Sequence, residues 1–372
     1  MKSAAVVFRG EGQLSVEHIE VLDPQAGEVM VRLAASGVCA SDAHVVHGVS
    51  AVARTPTVLG HEGAGVVVAV GPAVDGFAVG DHVVIALYSP CLRCAACVAG
   101  RTHHCGGESR VNASFGVFAD GTTRFRSGDE TLYPFMGSGT MSEYTVLPAG
   151  QLVKVDQDLP LDELCLTGCG VTTGYGAAAI TARVNPGSTV AVVGCGGVGL
   201  NVVQGARIAG ARVIVAVDPV PMKRELAMQL GATHMVDPAD GAMRDLVHAL
   251  VPGGVDYAFE VVGSPELVAR TLELTRVGGT CVMVGAPPKG AILPITREAL
   301  MLERTLSGCM GGSNLPHRDI PAIVDLYRQG RIKLAELITR RIALDDFASA
   351  FDAMAKGEAA RTVITFPIGD PA

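Results

Sequence analysis

Hydrophobic and polar residues follow two different rhythms along this chain. Up to about residue 155, short apolar runs such as 29–33 and 65–70 are interrupted by Gly, Pro and Asp, with turn signals at Gly71-Pro72 and Gly80-Asp81. Apolar runs of this length between turn residues are typical of strands. The first part of the chain is therefore predicted to be a β-rich domain.

From about residue 171, apolar runs alternate with helix-length segments. The strands predicted in this part lie at 188–193, 212–217, 233–236, 256–262 and 280–284, with helices at 196–208 and 221–230. Strands that alternate with helices predict a parallel, doubly wound sheet. After residue 311, helices are predicted at 320–328 and 345–355, followed by a strand at 362–366.

Composition limits the classes of function. The chain has 372 residues, 49% of them hydrophobic, and 46 glycines, which fits a globular α/β protein of two domains. A net charge of −8 argues against nucleic acid as a partner, because phosphate binding requires a basic surface. The sequence contains neither an apolar run of about 18 residues nor a signal-peptide pattern, so we expect no membrane span and a cytoplasmic location.

Four of the ten cysteines are closely spaced. Cys91, Cys94, Cys97 and Cys105 form a C-x₂-C-x₂-C-x₇-C pattern, and four thiolates at such spacing are ligands of structural Zn²⁺. Clustered cysteines in a chain of this kind indicate metal binding in a reducing compartment rather than disulfides. The pattern predicts a closed zinc lobe at 91–105 that orders a loop and takes no part in the chemistry.

A glycine-rich turn follows one predicted strand and begins the next helix. In Gly194-Cys195-Gly196-Gly197-Val198-Gly199, the first glycine permits the turn, the second brings the backbone to a pyrophosphate and the third lets the helix pack on the sheet. The helix N-terminus attracts the phosphates. Asp218 ends the following strand, 19 residues after Gly199, where a carboxylate binds ribose hydroxyls. These features predict binding of NAD, and not of NADP, whose 2′-phosphate Asp218 would repel.

Several motifs occur together and in order: GVCASDAH at 37–44, GHE at 60–62, the four-cysteine lobe, GCGVTTG at 168–174, the glycine turn at 194–199, and Arg361-Thr362-Val363. Through these motifs the chain resembles the zinc-dependent medium-chain alcohol dehydrogenases nearly from end to end. The resemblance implies an α/β fold with a GroES-like β-rich catalytic domain at 1–170, a Rossmann NAD-binding domain at 171–310 and a return to the catalytic domain at 311–372. It also implies a homodimer or homotetramer.

The same resemblance implies a second zinc site, which would be catalytic. Cys39, His61 and Cys169 would be its ligands, with a fourth position open to the substrate, although each cysteine taken alone would more often be a buried core residue. Asp42 would orient the ring of the zinc-bound histidine. The sequence thus predicts two Zn²⁺ per chain.

Further roles come only from the resemblance. Ser41 and His44 match the family's proton relay. Glu62 would lie behind the metal, and a local ion pair is a nearly equal alternative for it. Lys223 would reach the ribose and Arg361 the pyrophosphate, and for both residues a solvated surface charge is the alternative.

Two features of the sequence bear on the substrate class. Leu87 and Tyr88 stand where family members line the alcohol pocket, and residues 50–58 lack the acidic residues of members that act on glutathione adducts. We therefore expect NAD-linked oxidation of a primary, apolar, aliphatic or aromatic alcohol to its aldehyde, and the reverse reaction. Three alternatives remain: a thiol-adduct formaldehyde dehydrogenase, for which Arg110 is a candidate carboxylate partner; a nicotinoprotein that keeps NAD bound; and a non-catalytic, zinc-stabilised NAD-binding protein.

Overall fold

A computed structural model describes residues 1–49, 54–107, 115–118 and 120–367. The chain divides into two compact units. The first contains Met1–Cys169, Leu315–Arg328 and the C-terminal stretch from Ile338, and the second contains Gly170–Asn314 and Gln329–Leu337.

Two stretches differ from the predicted domain boundaries. Residues 311–314 and Gln329–Leu337 fall in the second unit, whereas the sequence analysis assigned the whole of 311–372 to the first domain. The second stretch is joined to its unit by a pair of hydrogen bonds with Gln204: the Gln204 Nε2 donates to the Lys333 carbonyl at 3.0 Å, and its Oε1 accepts from the Lys333 amide at 2.8 Å. A side-chain amide inside the second unit therefore fixes this return of the chain.

The described residues form the following elements. The strands are β1 (Lys2–Gly10), β2 (Gln13–Val21), β3 (Glu28–Val38), β4 (Thr57–Val58), β5 (Glu62–Val70), β6 (His82–Ile85), β7 (Phe125–Ser127), β8 (Glu130–Pro134), β9 (Tyr144–Pro148), β10 (Leu152–Val155), β11 (Thr189–Val193), β12 (Val213–Val217), β13 (His234–Val236), β14 (Val255–Glu260), β15 (Thr275–Met283), β16 (Thr305–Gly308), β17 (Ile338–Ile342) and β18 (Arg361–Thr365). The helices are α1 (Ala40–Val46), α2 (Ala95–Val98), α3 (Leu161–Leu164), α4 (Gly170–Gly176), α5 (Gly197–Ile208), α6 (Pro221–Leu230), α7 (Met243–Leu250), α8 (Pro265–Leu272), α9 (Arg297–Met301), α10 (Pro316–Arg328) and α11 (Phe347–Ala355).

The first unit is built from a closed barrel and a sheet. The barrel has the strand order β1-β2-β7-β8-β4, and the sheet has the order β10-β6-β5-β3-β18-β17, with β9 paired to β3. Successive side chains of a strand point to opposite faces, and β3 uses both faces. Val31 and Leu33 pack with Ile85 in one buried cluster, whereas Met30 packs with Phe125 in another.

The second unit is a parallel sheet in the order β13-β12-β11-β14-β15-β16. In order of appearance along the chain this is 3-2-1-4-5-6, the order of dinucleotide-binding sheets. Every residue of β11 is buried, as expected for a parallel strand covered on both faces. Helix α6 has Pro221 in its first turn and ends at Gly231 in the left-handed conformation, φ +118°, which are the preferred start and stop residues.

The predicted elements of both units occur close to their expected positions. Two elements begin several residues earlier than expected: β15, predicted at 280–284, begins at Thr275, and α10, predicted near residue 320, begins at Pro316. The Asp319 carboxylate accepts a hydrogen bond from the Leu315 amide at 2.7 Å, so the first turn forms ahead of Pro321. Among the described residues, no helix has the length and apolar character required to cross a membrane.

Candidate metal and cofactor sites

The four clustered cysteines converge in the first unit. Their Sγ atoms all lie within 4.8 Å of one another. Backbone amides of Cys91, Cys94 and Gly107 donate hydrogen bonds to thiol sulfurs of the set at 3.3–3.4 Å. A Cβ atom on Gly107 would lie 2.8 Å from the Cys91 Sγ, so only glycine allows the loop to close around the cysteines.

The electrostatics of this lobe match a thiolate cage. The backbone N–H of Cys97 is the main cause that lowers the pKa of Cys94, to about 6. Burial raises the pKa of Cys97 to about 12, and its hydrogen bonds with Cys105 and Cys94 raise it as well, so a second thiolate is disfavoured beside that of Cys94. A divalent cation among the four sulfurs removes this conflict, and four sulfur donors suit tetrahedral Zn²⁺. The donor set therefore fits the predicted structural zinc.

A second convergence involves residues that are far apart in sequence. Cys39 follows β3 and precedes α1, His61 precedes β5, and Cys169 precedes α4. Their ligand atoms, together with a carboxylate oxygen of Glu62, lie within 4.8 Å of one another, and all four residues are buried. The structure thus brings together the three predicted ligands of the catalytic metal.

Asp42 holds the histidine of this set in one orientation. One carboxylate oxygen accepts from the Cys39 amide at 3.1 Å, and the other accepts from the Gly60 amide at 3.0 Å and lies 3.3 Å from His61 Nδ1. His61 Nε2 is buried and, among the described residues, has no hydrogen-bond partner. With Nδ1 used by Asp42, the Nε2 lone pair is left for a metal ion, so the site fits zinc.

The pKa values of the residues around Cys39 favour a bound cation. A hydrogen bond with Cys169 is the main reason that the pKa of Cys39 lies well below its usual range, and the charge of His61 lowers it further against the effect of burial. Burial lowers the pKa of His61, but the negative charges of Asp42 and Cys39 outweigh it and raise that pKa to about 10. In the absence of a metal ion, a proton on His61 supplies the positive charge beside the Cys39 thiolate. Zn²⁺ would supply that charge instead, bound by the thiolate and the neutral imidazole.

Glu62 forms an ion pair beside this set. Its Oε2 accepts a hydrogen bond from Arg361 Nη2, and both side chains are buried. A Cβ atom on Gly37 would lie 2.4 Å from Glu62 Oε2, so glycine at this position gives the ion pair its space. Glu62 was expected either behind the metal or in a local ion pair, and the ion pair is present. Arg361 contacts Glu62. Its expected binding to the cofactor pyrophosphate stays a prediction.

Helix α1 carries the predicted proton relay. Ser41 and His44 are separated by three positions and therefore share a face of the helix, and both are half-buried. Ser41 Oγ lies 3.9 Å from Cys39 Sγ. The hydroxyl thus lies beside a predicted zinc ligand, and the imidazole lies one turn further along.

The glycine turn has the form that its sequence predicts. Gly194 has φ +94°, and a Cβ atom on Gly199 would lie 1.8 Å from the Gly194 carbonyl oxygen. A Cβ atom on Gly196 would meet nothing within 4 Å, so the backbone there is open to a ligand. Gly197 and Val198 begin α5, which has no side-chain cap. The open backbone and uncapped helix end fit a pyrophosphate.

Asp218 lies directly after β12 and supports this turn. Its Oδ2 accepts from the Cys195 amide at 2.8 Å, and its Oδ1 accepts from the Val220 amide at 2.9 Å. The bracing of the glycine turn by this carboxylate was not predicted from the sequence. Lys223 is half-buried in the first turn of α6. The residues predicted to bind ribose therefore flank the carboxyl end of β12.

An aromatic ring that the sequence analysis did not select also belongs to the metal site. The rings of Phe135 and His61 meet edge to face with centroids 5.5 Å apart. The next residue, Met136, has a left-handed backbone, φ +51°. Leu87 lies near Cys169, because its amide donates to the Gly168 carbonyl at 3.0 Å, and Tyr88 is 5% exposed. Residues 50–53, 108–114 and 119, which include Ser50 and Arg110, lie outside the described residues.

Comparisons with known proteins show which family this chain matches. Residues 25–157 match the model of the alcohol dehydrogenase GroES-like domain, and residues 197–329 match that of the zinc-binding dehydrogenases. The S-(hydroxymethyl)glutathione dehydrogenase of Paracoccus denitrificans is 39% identical over 98% of this chain and 99% of its own length.

Two solved structures extend the comparison. An alcohol dehydrogenase zinc-binding domain protein from Burkholderia ambifaria has a TM-score of 0.93 at 35% identity, with 99% of each chain covered. The benzyl alcohol dehydrogenase of Acinetobacter calcoaceticus has a TM-score of 0.91 at 31% identity, with 99% of this chain and 100% of that chain covered.

The chain belongs to the zinc-dependent medium-chain alcohol dehydrogenase family. Within that family it is an NAD-dependent zinc alcohol dehydrogenase that acts on small alcohols and aldehydes, with zinc and NAD as cofactors. The predicted family, the fold class with a GroES-like and a Rossmann domain, and the cofactors are thereby confirmed.

Proposed function

We propose that this enzyme oxidises primary, apolar alcohols, aliphatic or aromatic, to their aldehydes with NAD and also catalyses the reverse reaction. The observation that supports this substrate class best is the edge-to-face contact between Phe135 and His61. It places an aromatic surface beside a predicted ligand of the catalytic metal. Burial of apolar substrate surface against such a wall contributes about 0.8 kcal/mol per CH₂.

Residues of the first unit have separate roles at the metal position: three would bind the metal and one orients a ligand. Cys39, His61 and Cys169 would hold the zinc, and Asp42 keeps His61 Nε2 turned towards it. When bound, zinc supplies Lewis acidity and NAD accepts the two electrons of the oxidation.

Proton release is assigned to α1. The Ser41 hydroxyl would accept the alcohol proton, and His44 would pass that proton to solvent. Both side chains are half-buried on one helix face, which suits a relay that leads from a buried site to the surface.

A thiol-adduct formaldehyde dehydrogenase is the second candidate function. It is favoured by the 39% identity to the S-(hydroxymethyl)glutathione dehydrogenase of Paracoccus denitrificans. A substrate of that kind carries carboxylates that need cationic partners. The candidate named for this role, Arg110, lies outside the described residues, so a direct kinetic comparison must decide.

The test is a substrate panel with NAD that contains ethanol, octanol, benzyl alcohol and S-(hydroxymethyl)glutathione. We expect benzyl alcohol and octanol to exceed ethanol in kcat/KM by about tenfold or more, because each tenfold needs only about 1.4 kcal/mol of extra transition-state binding. Phe135→Ala should reduce the benzyl-to-ethanol ratio. Phe77→Ala is the matched control, since Phe77 packs near Lys154 in the same unit, and it should leave the ratio unchanged.

Two results would change the proposal. If the glutathione adduct exceeds every simple alcohol by about tenfold, the thiol-adduct function replaces the one proposed. If the purified protein retains NAD through gel filtration and turns over only with an external electron acceptor, it is a nicotinoprotein.

A further inference from the structure

The strand order of the second unit defines where a dinucleotide crosses the sheet. β11 pairs in parallel with β12 on one side and with β14 on the other, so the direction in which strands are added reverses at β11. Ligands of open α/β sheets bind at the carboxyl ends of the strands beside such a reversal. The glycine turn follows β11, and Glu260 ends β14 directly opposite, in register with Val193.

Glu260 ties together two turns at this edge. Its Oε1 accepts hydrogen bonds from the amides of Val262 at 2.9 Å and Gly263 at 2.8 Å. Its own carbonyl accepts from the amides of Val284 at 2.8 Å and Gly285 at 3.0 Å. One residue therefore fixes both the turn after β14 and the turn after β15.

The surroundings of this carboxyl group are closely packed. Glu260 is 0% exposed, and a Cβ atom on Gly285 would lie 2.8 Å from its Oε2 and 2.2 Å from the Gly263 nitrogen. Gly263 has φ +89°. Oε2 has no hydrogen-bond partner within the described parts of the chain. Burial raises the pKa of Glu260, because the neutral acid loses less hydration than the carboxylate.

The turn that Glu260 holds lies against the glycine turn. Val262 is 51% exposed, and its Cγ2 lies 2.6 Å from the place that a Cβ atom on Gly194 would take. The Val261 amide donates to the Val193 carbonyl at 2.9 Å. Loss of the Oε1 acceptor would leave the amides of Val262 and Gly263 without partners and free the valine to move off Gly194.

We propose, building on the use of NAD in the proposed function, that Glu260 is a positioning residue for the cofactor: by accepting hydrogen bonds from the Val262 and Gly263 amides, it fixes Val262 over Gly194 and so shapes the β14 side of the dinucleotide site. Glu260 itself makes no contact with the cofactor in this role. It acts through the backbone of the turn, so an uncharged acceptor of the same size should serve equally well.

The test measures the Kd of NADH by fluorescence titration, together with kcat at saturating NAD, for the full-length, zinc-loaded protein. Glu260→Leu should raise the Kd by about tenfold, because the amides of Val262 and Gly263 lose their acceptor and the turn is no longer held in place, while kcat changes by less than about threefold. Glu260→Gln retains the acceptor oxygen and should stay within about threefold of wild type.

The matched control is Thr271→Val. Thr271 is buried on α8, which packs on β14 and β15, and its Oγ1 has no partner among the described residues. This variant perturbs the same layer without touching the turn, and its Kd should stay within about twofold of wild type. Equal Kd changes in Glu260→Leu and Thr271→Val would overturn the proposal, because the effect would then be general loosening of the unit.

A second variant decides the matter if Glu260→Leu fails to fold. Val262→Ala changes an exposed side chain and should raise the Kd by about threefold through lost apolar contact; an unchanged Kd would overturn the proposal. Wild-type protein that binds no NADH would refute the proposed function and this inference together. Wild-type binding with unaltered variants would refute this inference alone.

Discussion

At the scale of single residues, Asp218 has an observed structural role and a predicted role in cofactor selectivity. Its two carboxylate oxygens accept hydrogen bonds from the amides of Cys195 and Val220, and a carboxylate has about four acceptor sites in all. We expect the remaining sites to bind ribose hydroxyls and the negative charge to disfavour a 2′-phosphate. We therefore expect the selectivity for NAD over NADP to depend on the charge of Asp218, and the geometry of the glycine turn to depend on its two carboxylate oxygens.

Asp218→Asn separates these two roles. The asparagine retains one acceptor oxygen without the charge, so we expect the NADP-to-NAD ratio of kcat/KM to rise by about tenfold, equivalent to about 1.4 kcal/mol. Asp218→Gly should also narrow the preference for NAD over NADP. Both cofactors should bind more weakly to this variant, because the amides of Cys195 and Val220 lose their acceptor. Kinetics with both cofactors provide the measurement, and wild-type efficiency with NADP equal to that with NAD would contradict the assignment.

His44 and His47 offer a matched pair on one helix. His44 is half-buried one turn beyond Ser41, whereas His47 is exposed at the end of α1. His44→Gln should lower turnover by about tenfold or more, as loss of a general acid–base group does, and most strongly at low pH, where proton release is hardest. His47→Gln should have no effect. Zinc analysis completes the test, and loss of metal from His44→Gln would show that the residue has a different role.

At the scale of elements, the two cysteine sets occupy different kinds of structure. The four-cysteine set comes from one short segment around α2, and we expect the conformation of its loop to depend on a bound metal. Cys39 and His61 flank β3 and β5 of the sheet in the first unit, and Cys169 lies directly before α4, so these three residues come from separate elements. Removal of one sulfur should therefore have different consequences in the two sets.

Cys94→Ser should cost stability, and Cys169→Ser should cost activity. Loss of a structural metal belongs to the changes that exceed about 4 kcal/mol, so Cys94→Ser should lower the Tm and the zinc content. Cys169→Ser should keep the wild-type Tm and lose more than the ~10–100-fold that removal of an outer-shell partner costs. Thermal unfolding, zinc analysis and kcat together provide the test. Equal unfolding of both variants would show that the division into structural and catalytic sites is wrong.

The sequence predicted those features that have a local pattern. Strand and helix positions, the four-cysteine spacing and the glycine turn were predictable because each depends on residues close together in the chain. Contacts that depend on tertiary packing could not be predicted in this way. Phe135 reaches His61 from a distant segment, Gly37 makes room for the Glu62–Arg361 pair, and Glu260 stands alone in an apolar run. No spacing rule selects these residues.

At the scale of the whole molecule, both edge strands of the sheet in the second unit, β13 and β16, are paired on one side only among the described residues. β16 is the last strand of the sheet and pairs with β15 among the described residues. Leu300, Met301 and Leu302 precede it and are 49%, 64% and 42% exposed. An unpaired edge beside exposed apolar side chains is a site for pairing with another chain. We infer that a second copy of this chain occupies it, since homo-oligomers with two-fold symmetry are the commonest assemblies.

This inference predicts the mass in solution. Light scattering after gel filtration should give a multiple of the 38.3 kDa chain mass, a dimer or a tetramer. Met301→Glu places a charge among the exposed apolar residues and should shift the protein towards the monomer, because burial of an unpaired charge costs several kcal/mol. Met235→Glu is the control, as Met235 is 52% exposed on β13 at the opposite end of the same sheet, and its mass should equal that of the wild type. A wild-type monomer would contradict the predicted assembly, and an oligomer that survives Met301→Glu would place the interface elsewhere.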